Sequence, residues 1–313
     1  MAQLLSPDAI DFGAWMRSTE IEVRVHKASA FLVELEAEFA ERPPNARRPE
    51  MFSTKMRGVL EFRPSEITAW AGYSGHRKST FTGQVALDLC VQRERVLLMS
   101  PEMKPQTTLA RMARQAAGVA RPSTTILRHF SAWTDGRLWM FDHLGRIAPE
   151  QCLAVCRYFA AELGGTQVVI DSLMMICKSE DTMDEQKQFT TDLVRIAQET
   201  GLHVHLVAHC RKPASGAEDR RPTKYDLRGS AAITDQAHNV CVIWSNKAKA
   251  AKLTANPHDE EALALPDAVV SVEKQRNGAF EGPLKLWFDE ASFRFVDDRI
   301  TSVQPYALIR AEP

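Results

Sequence analysis

The stretch EITAWAGYSGHRKSTFT, residues 66–82, decides how the rest of the chain is read. Residues 67–70 are apolar and strand-like and run into Gly72. Tyr73, Ser74, Gly75, His76 and Arg77 make a tight turn, and Lys78-Ser79-Thr80 opens a helical pattern. A strand, a glycine turn and a helix that begins Lys-Ser form the layout of the phosphate-binding loop G-x-x-x-x-G-K-[ST]. Such a loop works because backbone N–H groups and a helix N-terminus converge on phosphate, while the lysine adds a point charge. Gly72, Ser74, Gly75, His76, Arg77, Lys78, Ser79 and Thr80 are therefore the candidate nucleotide-binding residues. Lys78 suits the β- and γ-phosphates of ATP or another triphosphate, and Ser79 suits Mg2+. One letter departs from the pattern, because Arg77 stands where the second glycine belongs.

The composition, 44% hydrophobic and 25% charged over 313 residues, is that of one large globular α/β domain or a domain with an appendage. The net charge of −1 carries no global basicity, so a nucleic-acid site has to come from local clustering. No apolar run approaches the roughly 18–20 residues of a membrane span. The start, MAQLLSPDAIDFG, has acids and no basic region, which is not the pattern of a secretory signal. Cysteines 90, 152, 156, 177, 210 and 241 are scattered. Cys152 and Cys156 are four apart, but without a second pair at zinc spacing they read as buried free thiols. A reducing, cytoplasmic compartment is expected.

Residues 1–50 stand apart as a helical arm and linker, before a domain over 51–313. The charged helical stretch at 14–40 gathers Phe31, Leu32, Leu35 and Phe39 on one face. Residues 42–49, rich in proline and arginine, break it. That apolar face has to bury itself against its own core or against a neighbouring subunit. From Glu66 onward, strand-like runs at 66–71, 96–99, 138–141, 168–170, 203–208, 240–244 and 269–273 alternate with helical patterns at 78–92, 105–117, 149–163 and 186–199. Alternation of this kind predicts an α/β fold with a mostly parallel sheet and helices on both faces. Residues 284–288 and 293–296 read as an antiparallel edge hairpin.

Two carboxylates belong with the loop. Gln167-Val-Val-Ile-Asp171-Ser172 is a short apolar strand ending in Asp, which suits a Mg2+ ligand acting through water, or an ordinary helix cap. Glu102 follows the strand after the loop helix, where ligands gather in parallel sheets. It suits a base that activates water, or a first-turn helix acid. His203, His205 and His209 share one face of a strand. A rise of about 3.3 Å per residue spreads them too far for a single metal, so His203 and His205 read as polar residues near the strand start.

Several separated segments together resemble the RecA-fold hexameric replicative helicases of the DnaB type, closest to the branch of phage primase-helicases and the mitochondrial helicase Twinkle. Phe62-Arg63-Pro64 with residues 66–72 is similar to the family's lead-in to its phosphate loop. Ser100-Pro101-Glu102-Met103 resembles the segment with its catalytic glutamate, and residues 207–213 resemble its sensor strand, with His209 as sensor. Residues 226–233 match the segment after its DNA loop. Lys274-Gln275-Arg276-Asn277-Gly278 resembles its finger, in which Lys274 and Arg276 reach a neighbour's nucleotide.

The resemblance implies a RecA-like ATPase, a homo-oligomeric ring (normally a hexamer), ATP at the subunit boundaries and single-stranded DNA through the centre. Primase, polymerase or other replisome proteins are the partners it suggests, in a bacterial or phage-infected cell. Nothing in residues 1–50 offers the zinc-binding cysteines or acidic cluster of a primase module, and the arm instead resembles the segment that leans on the adjacent protomer. Residues 210–227 carry Arg211, Lys212, Arg220, Arg221 and Lys224, with Arg228 just beyond, against Glu218, Asp219 and Asp226. Such a loop tracks phosphates without reading sequence, or is a solvated surface loop. Tyr225 is its one aromatic, so phosphate tracking is the expected mode.

Arg77 bears on all of this. Glycine at its position lets the backbone approach phosphate without a Cβ in the way. A long cation there clashes, or sits on phosphate and impedes turnover, which leaves a catalytically impaired DNA-binding ring as an alternative. A RecA-like recombination or repair ATPase is another, against which the segments at 226–230 and 274–278 speak.

Overall fold

The computed structural model describes residues 3–5, 27–40, 48–177, 183–213, 219–229 and 231–306. Of the features expected from sequence, residues 14–26 of the helical arm, linker residues 42–47, Glu218 and Ser230 lie outside that set.

Among the described residues, ten strands form one sheet: β1 (Gln3–Leu5), β2 (Ile67–Gly72), β3 (Val96–Met99), β4 (Leu138–Phe141), β5 (Gln167–Ile170), β6 (His203–His209), β7 (Asn239–Ser245), β8 (Ala268–Gln275), β9 (Gly282–Asp289) and β10 (Arg294–Val296). Their spatial order is β1-β4-β3-β5-β6-β2-β7-β8-β9-β10. Neighbours from β1 to β7 are parallel, and β8, β9 and β10 continue the sheet antiparallel. The helices are α1 (Leu32–Phe39), α2 (Lys78–Val91), α3 (Pro105–Ala117), α4 (Thr124–Thr134), α5 (Pro149–Leu163), α6 (Met183–Thr200), α7 (Ala232–Gln236), α8 (Lys247–Ala255) and α9 (Glu260–Ala264).

β2 sits between β6 and β7, and its alternation builds both layers. Ile67, Ala69 and Ala71 join Cys152, Val155 and Phe159 of α5 and Phe189, Leu193 and Ile196 of α6 in one cluster. Trp70 points the other way, into a cluster with Phe81, Val85 and Leu89 of α2, Met112 of α3 and Phe130 and Trp133 of α4. Burying side chains of this size contributes about 1.5–3 kcal/mol each, so the strand that leads into the loop is fixed from both faces. Pro105 and Pro149 start α3 and α5, where a missing N–H costs nothing. Gly118 and Gly164 close them in the left-handed region at φ +71° and +60°.

Five elements are additions to the sequence reading: β1, α4, α7, α8 and α9. β1, from the segment assigned to the arm, runs parallel to β4 at the sheet edge. α4 begins Thr-Thr-Ile, a weak helical start, but Ser123 caps it by accepting the Ile126 N–H, and Phe130 and Trp133 anchor it. The six cysteines are buried and free.

His203 and His205 stand at the start of β6, and both are fully buried. His203 donates from Nδ1 to the Arg63 carbonyl at 2.6 Å and accepts from Thr68 Oγ1 at 2.9 Å. His205 accepts the Trp70 indole N–H at 3.1 Å and donates to Gln167 Oε1 at 3.1 Å. All four ring nitrogens are therefore engaged, and burial holds the His203 pKa down at about 3. His209, six residues on, stands at the far end of the strand.

Candidate functional site

β2, β3, β5 and β6 are parallel, so Gly72, Met99, Ile170 and His209 all close their strands at the same edge of the sheet, Gly72 level with His209 and Met99 and Ile170 level with Leu206, three residues earlier. The loop after β2 is shaped by its backbone. A Cβ on Gly72 would stand 2.3 Å from the Ile243 carbonyl oxygen of β7, so only glycine fits there. Gly75 has φ +76°. Arg77 caps α2 at φ +60°, ψ +24°, a conformation costing a non-glycine residue about 1–2 kcal/mol. Its side chain runs to the β9–β10 turn. One guanidinium nitrogen lies 2.6 Å from Glu290 Oε1, and Cζ is 3.8 Å from the centre of the Phe288 ring. His76 is buried, its Nδ1 accepting the Ser245 N–H at 2.9 Å, so that side chain anchors the loop to β7. Ser74 and Gly75 are exposed.

Lys78 is buried at the start of α2. Its Nζ donates to the Tyr73 carbonyl at 2.9 Å and stands 3.2 Å from His209 Nδ1. Burial pulls the pKa of both groups down, and the Lys78 charge depresses His209 further. His209 is thus neutral, accepting from Lys78 at Nδ1.

Asp171 directly follows β5 and is buried, hydrogen-bonded by the Ser79 hydroxyl. Burial, reinforced by the Glu102 charge, raises its pKa to about 6 against the opposing influence of Ser79, Lys78 and Arg111. Glu102 lies in the turn between β3 and α3, outside the helix, and accepts a hydrogen bond from Ser172 Oγ at 2.7 Å. The Ser79 hydroxyl and the Asp171 carboxylate are hard oxygen donors side by side, a set that fits Mg2+. Lys78, Ser79, Glu102, Asp171 and His209 are therefore brought together. Thr80 lines a small cavity beside them with Thr108, Arg111 and Gln115.

Lys274 and Arg276 are not part of this assembly. β8 is antiparallel to β7, with Ala268 opposite Ser245 and Gln275 opposite Asn239. They therefore stand at the opposite edge of the sheet from Lys78. Lys274 Nζ donates to the Thr234 and Asp235 carbonyls at 2.8 and 2.9 Å, and Arg276 to Asp235 O at 3.2 Å, at the end of α7.

The basic loop starts where β6 ends. A bridge between Cys210 and Leu227 closes its neck. Arg211, Lys212, Arg220 and Arg221 are exposed. Arg220 pairs with Asp226 at 2.6 Å, Lys224 donates to the Glu273 carbonyl at 3.0 Å, and Arg221 lies 5.5 Å over the Trp244 ring. Ser74, His209, Arg211, Lys212 and Arg228 line a cavity of about 320 Å³ joining the loop neck to the glycine turn. A larger cavity, about 670 Å³, opens on the other side of Gly75 and Arg77, between α8 and the β9 residues Trp287 and Phe288. Arg111, Phe288 and Glu290 were not singled out from sequence. Glu290 lies 213 positions from Arg77, in a turn with no motif to mark it.

The sequence profile of the DnaB-like helicase C-terminal domain matches residues 53–297, most of the chain. The chain belongs to the DnaB-like helicase family. It is 23% identical over 265 residues to the replicative DNA helicase DnaC of Bacillus subtilis (strain 168), covering 80% of this chain and 56% of that protein. Against the replicative DNA helicase DnaB of Geobacillus stearothermophilus the figures are 24% over 266 residues, with 80% and 56% covered. A probable replicative DNA helicase of Trieres chinensis is 28% identical over 134 residues, 42% of this chain and 28% of that one. The chain thus spans little more than half the length of these relatives at most. Its fold is shared with a solved ATPase domain, at TM-score 0.71 and 17% identity, over 88% of this chain and 100% of that one. A DnaB-like replicative helicase whose structure was described with its interactions with primase gives TM-score 0.68 and 17% identity, over 87% and 67%. This DnaB-like domain therefore has the expected RecA-like α/β fold with an antiparallel C-terminal edge.

Proposed function

We propose that the chain is the motor domain of a ring-forming replicative DNA helicase, which hydrolyses ATP or another nucleoside triphosphate and moves on single-stranded DNA to separate duplex. Lys78 and the loop N–H groups hold the triphosphate. Ser79 and Asp171 hold Mg2+, which when bound neutralises phosphate charge and orients the β- and γ-phosphates. Glu102, steadied by Ser172, accepts a proton from the attacking water. His209, in contact with Lys78 and one residue before the loop neck, links phosphate to residues 210–228. Arg211, Lys212, Arg220, Arg221, Lys224 and Arg228 track the DNA backbone, a sequence-independent mode of binding.

The observation that carries this reading is the separation of Lys274 and Arg276 from Lys78 by the length of the sheet. A site that uses them to stabilise transition-state charge has to take them from a second copy, which is the geometry of a ring. The exposed Leu32, Leu35 and Phe39 (82% exposed) of α1 are suited to seat on that neighbour. The subunit number we propose is six; primase or polymerase contacts and residence in a bacterial or phage-infected cytoplasm follow from the same reading. The impaired-ring alternative rests on Arg77 obstructing the phosphates; Arg77→Gly separates the readings, since a large gain in hydrolysis would favour obstruction and an unchanged rate would not. Hydrolysis measured with and without single-stranded DNA tests the proposal. Turnover is expected to rise with DNA; DNA-independent turnover would count against it.

A further inference from the structure

The β9–β10 turn is gripped by two arginines that do different work. Arg114 of α3 donates to the Glu290 and Ala291 carbonyls at 3.3 and 2.9 Å, and its Cζ lies 3.7 Å from the centre of the Phe293 ring. It fixes the backbone of the turn without help from Arg77. Arg77 instead pairs with the Glu290 side chain, whose exposure is 70% against 37% for the arginine. Ion pairs this exposed are weak, and a guanidinium fork bonds phosphate in the same bidentate way as carboxylate.

The backbone says the same thing. Arg77 occupies a left-handed helix cap that glycine would take without strain, immediately before the lysine of the phosphate loop. Strain at such a position is a reason to look for function in the side chain that bears it. Arg77 and Gly75 also line the 670 Å³ cavity, so there is open space beside Arg77 next to the loop.

We propose that Arg77 is a second phosphate-binding cation of the loop, and that Glu290 competes with the nucleotide for its guanidinium. A bound triphosphate draws Arg77 away from Glu290 by side-chain rotation, and the exposed Glu290 carboxylate returns to water. Glu290 thereby sets the affinity of the loop for triphosphate. The inference rests on the nucleotide-binding reading above.

The test is a double-mutant cycle on the full chain, with binding of a non-hydrolysable ATP analogue followed by titration calorimetry. Glu290→Gln is expected to tighten binding about two- to fivefold, the range of an exposed ion pair. In the Arg77→Gly background the same substitution is expected to change the Kd by less than about 1.5-fold, because the competition has gone. Unchanged or weaker binding by Glu290→Gln in the natural background would overturn the inference. So would an equal gain in both backgrounds, which is a long-range charge effect without Arg77. Glu290 is exposed, and coincident thermal melts exclude a folding defect. An unsubstituted chain that does not bind the analogue overturns the nucleotide reading and this inference with it; binding without coupling overturns the inference alone.

Discussion

Lys78 and His209 meet across two neighbouring parallel strands, with Nζ 3.2 Å from Nδ1. Gly72, which opens the loop, is paired in register with His209 at the end of β6. The sheet itself therefore sets the distance between Lys78 and the neck of the basic loop. His209→Ala removes one of two partners of Lys78 and leaves the Tyr73 carbonyl in place. Nucleotide affinity should stay within about threefold, a loss of one modest hydrogen bond, while stimulation of hydrolysis by single-stranded DNA is lost. Steady-state rates with and without DNA measure both.

Asp171 gives a pH signature. Its folded-state pKa is raised from 3.8 to about 6, chiefly by burial. The ionised carboxylate therefore opposes folding: the cost is absent below the unfolded pKa, grows as pH rises through 6, and is complete above it. Asp171→Asn should stabilise the chain at pH 8 by about 3 kcal/mol and by little at pH 4. Urea unfolding in chelator at the two pH values reads this directly. The same substitution removes the charge assigned to Mg2+, so hydrolysis should fall by at least about 100-fold.

Arg276 tests the ring. An arginine supplied in trans contributes about 10³–10⁵ to turnover. Arg276→Ala should abolish hydrolysis while leaving nucleotide binding intact. Mixed with unsubstituted chain, it should depress activity by more than simple dilution, as measured over a titration of mixing ratios.

The loop cations should register in salt dependence. Each phosphate contact on single-stranded DNA contributes about 0.7 to the slope of log K against log salt. Arg211→Ala with Lys212→Ala should lower that slope by about 1.4 with little change between DNA sequences. Fluorescence anisotropy over a salt series checks it.

The core network beneath the loop is exposed to the same kind of test. Trp70→Phe keeps the ring packing but leaves His205 Nδ1 buried without its donor. An unsatisfied buried acceptor costs about 1–3 kcal/mol, to be read by chemical denaturation.

Much of this was legible in sequence because it lies in local patterns. Residues 67–72 alternate around a strand, Lys78 opens a helix after a glycine turn, and Asp171 ends an apolar run; each signal spans only a few residues. Glu102 and His209 were placed by resemblance, and the parallel register brings them to the same edge. What escaped is set by tertiary contact. β1 is three residues whose strand state depends on β4. The burial of His203 and His205 depends on Arg63, Trp70 and Gln167 arriving from elsewhere. The direction of Arg77 was illegible for the same reason, because Glu290 and Phe288 become its neighbours only when the antiparallel edge folds back beside α2.

The most direct test of the motor reading is strand separation of a forked duplex with a single-stranded tail, followed by fluorescence with ATP and Mg2+. ATP-dependent separation by the unsubstituted chain, and none by Lys78→Ala, is the expected result. A chain that binds the fork and hydrolyses ATP yet never separates the strands, or one that separates them equally well as Lys78→Ala, would contradict the motor reading.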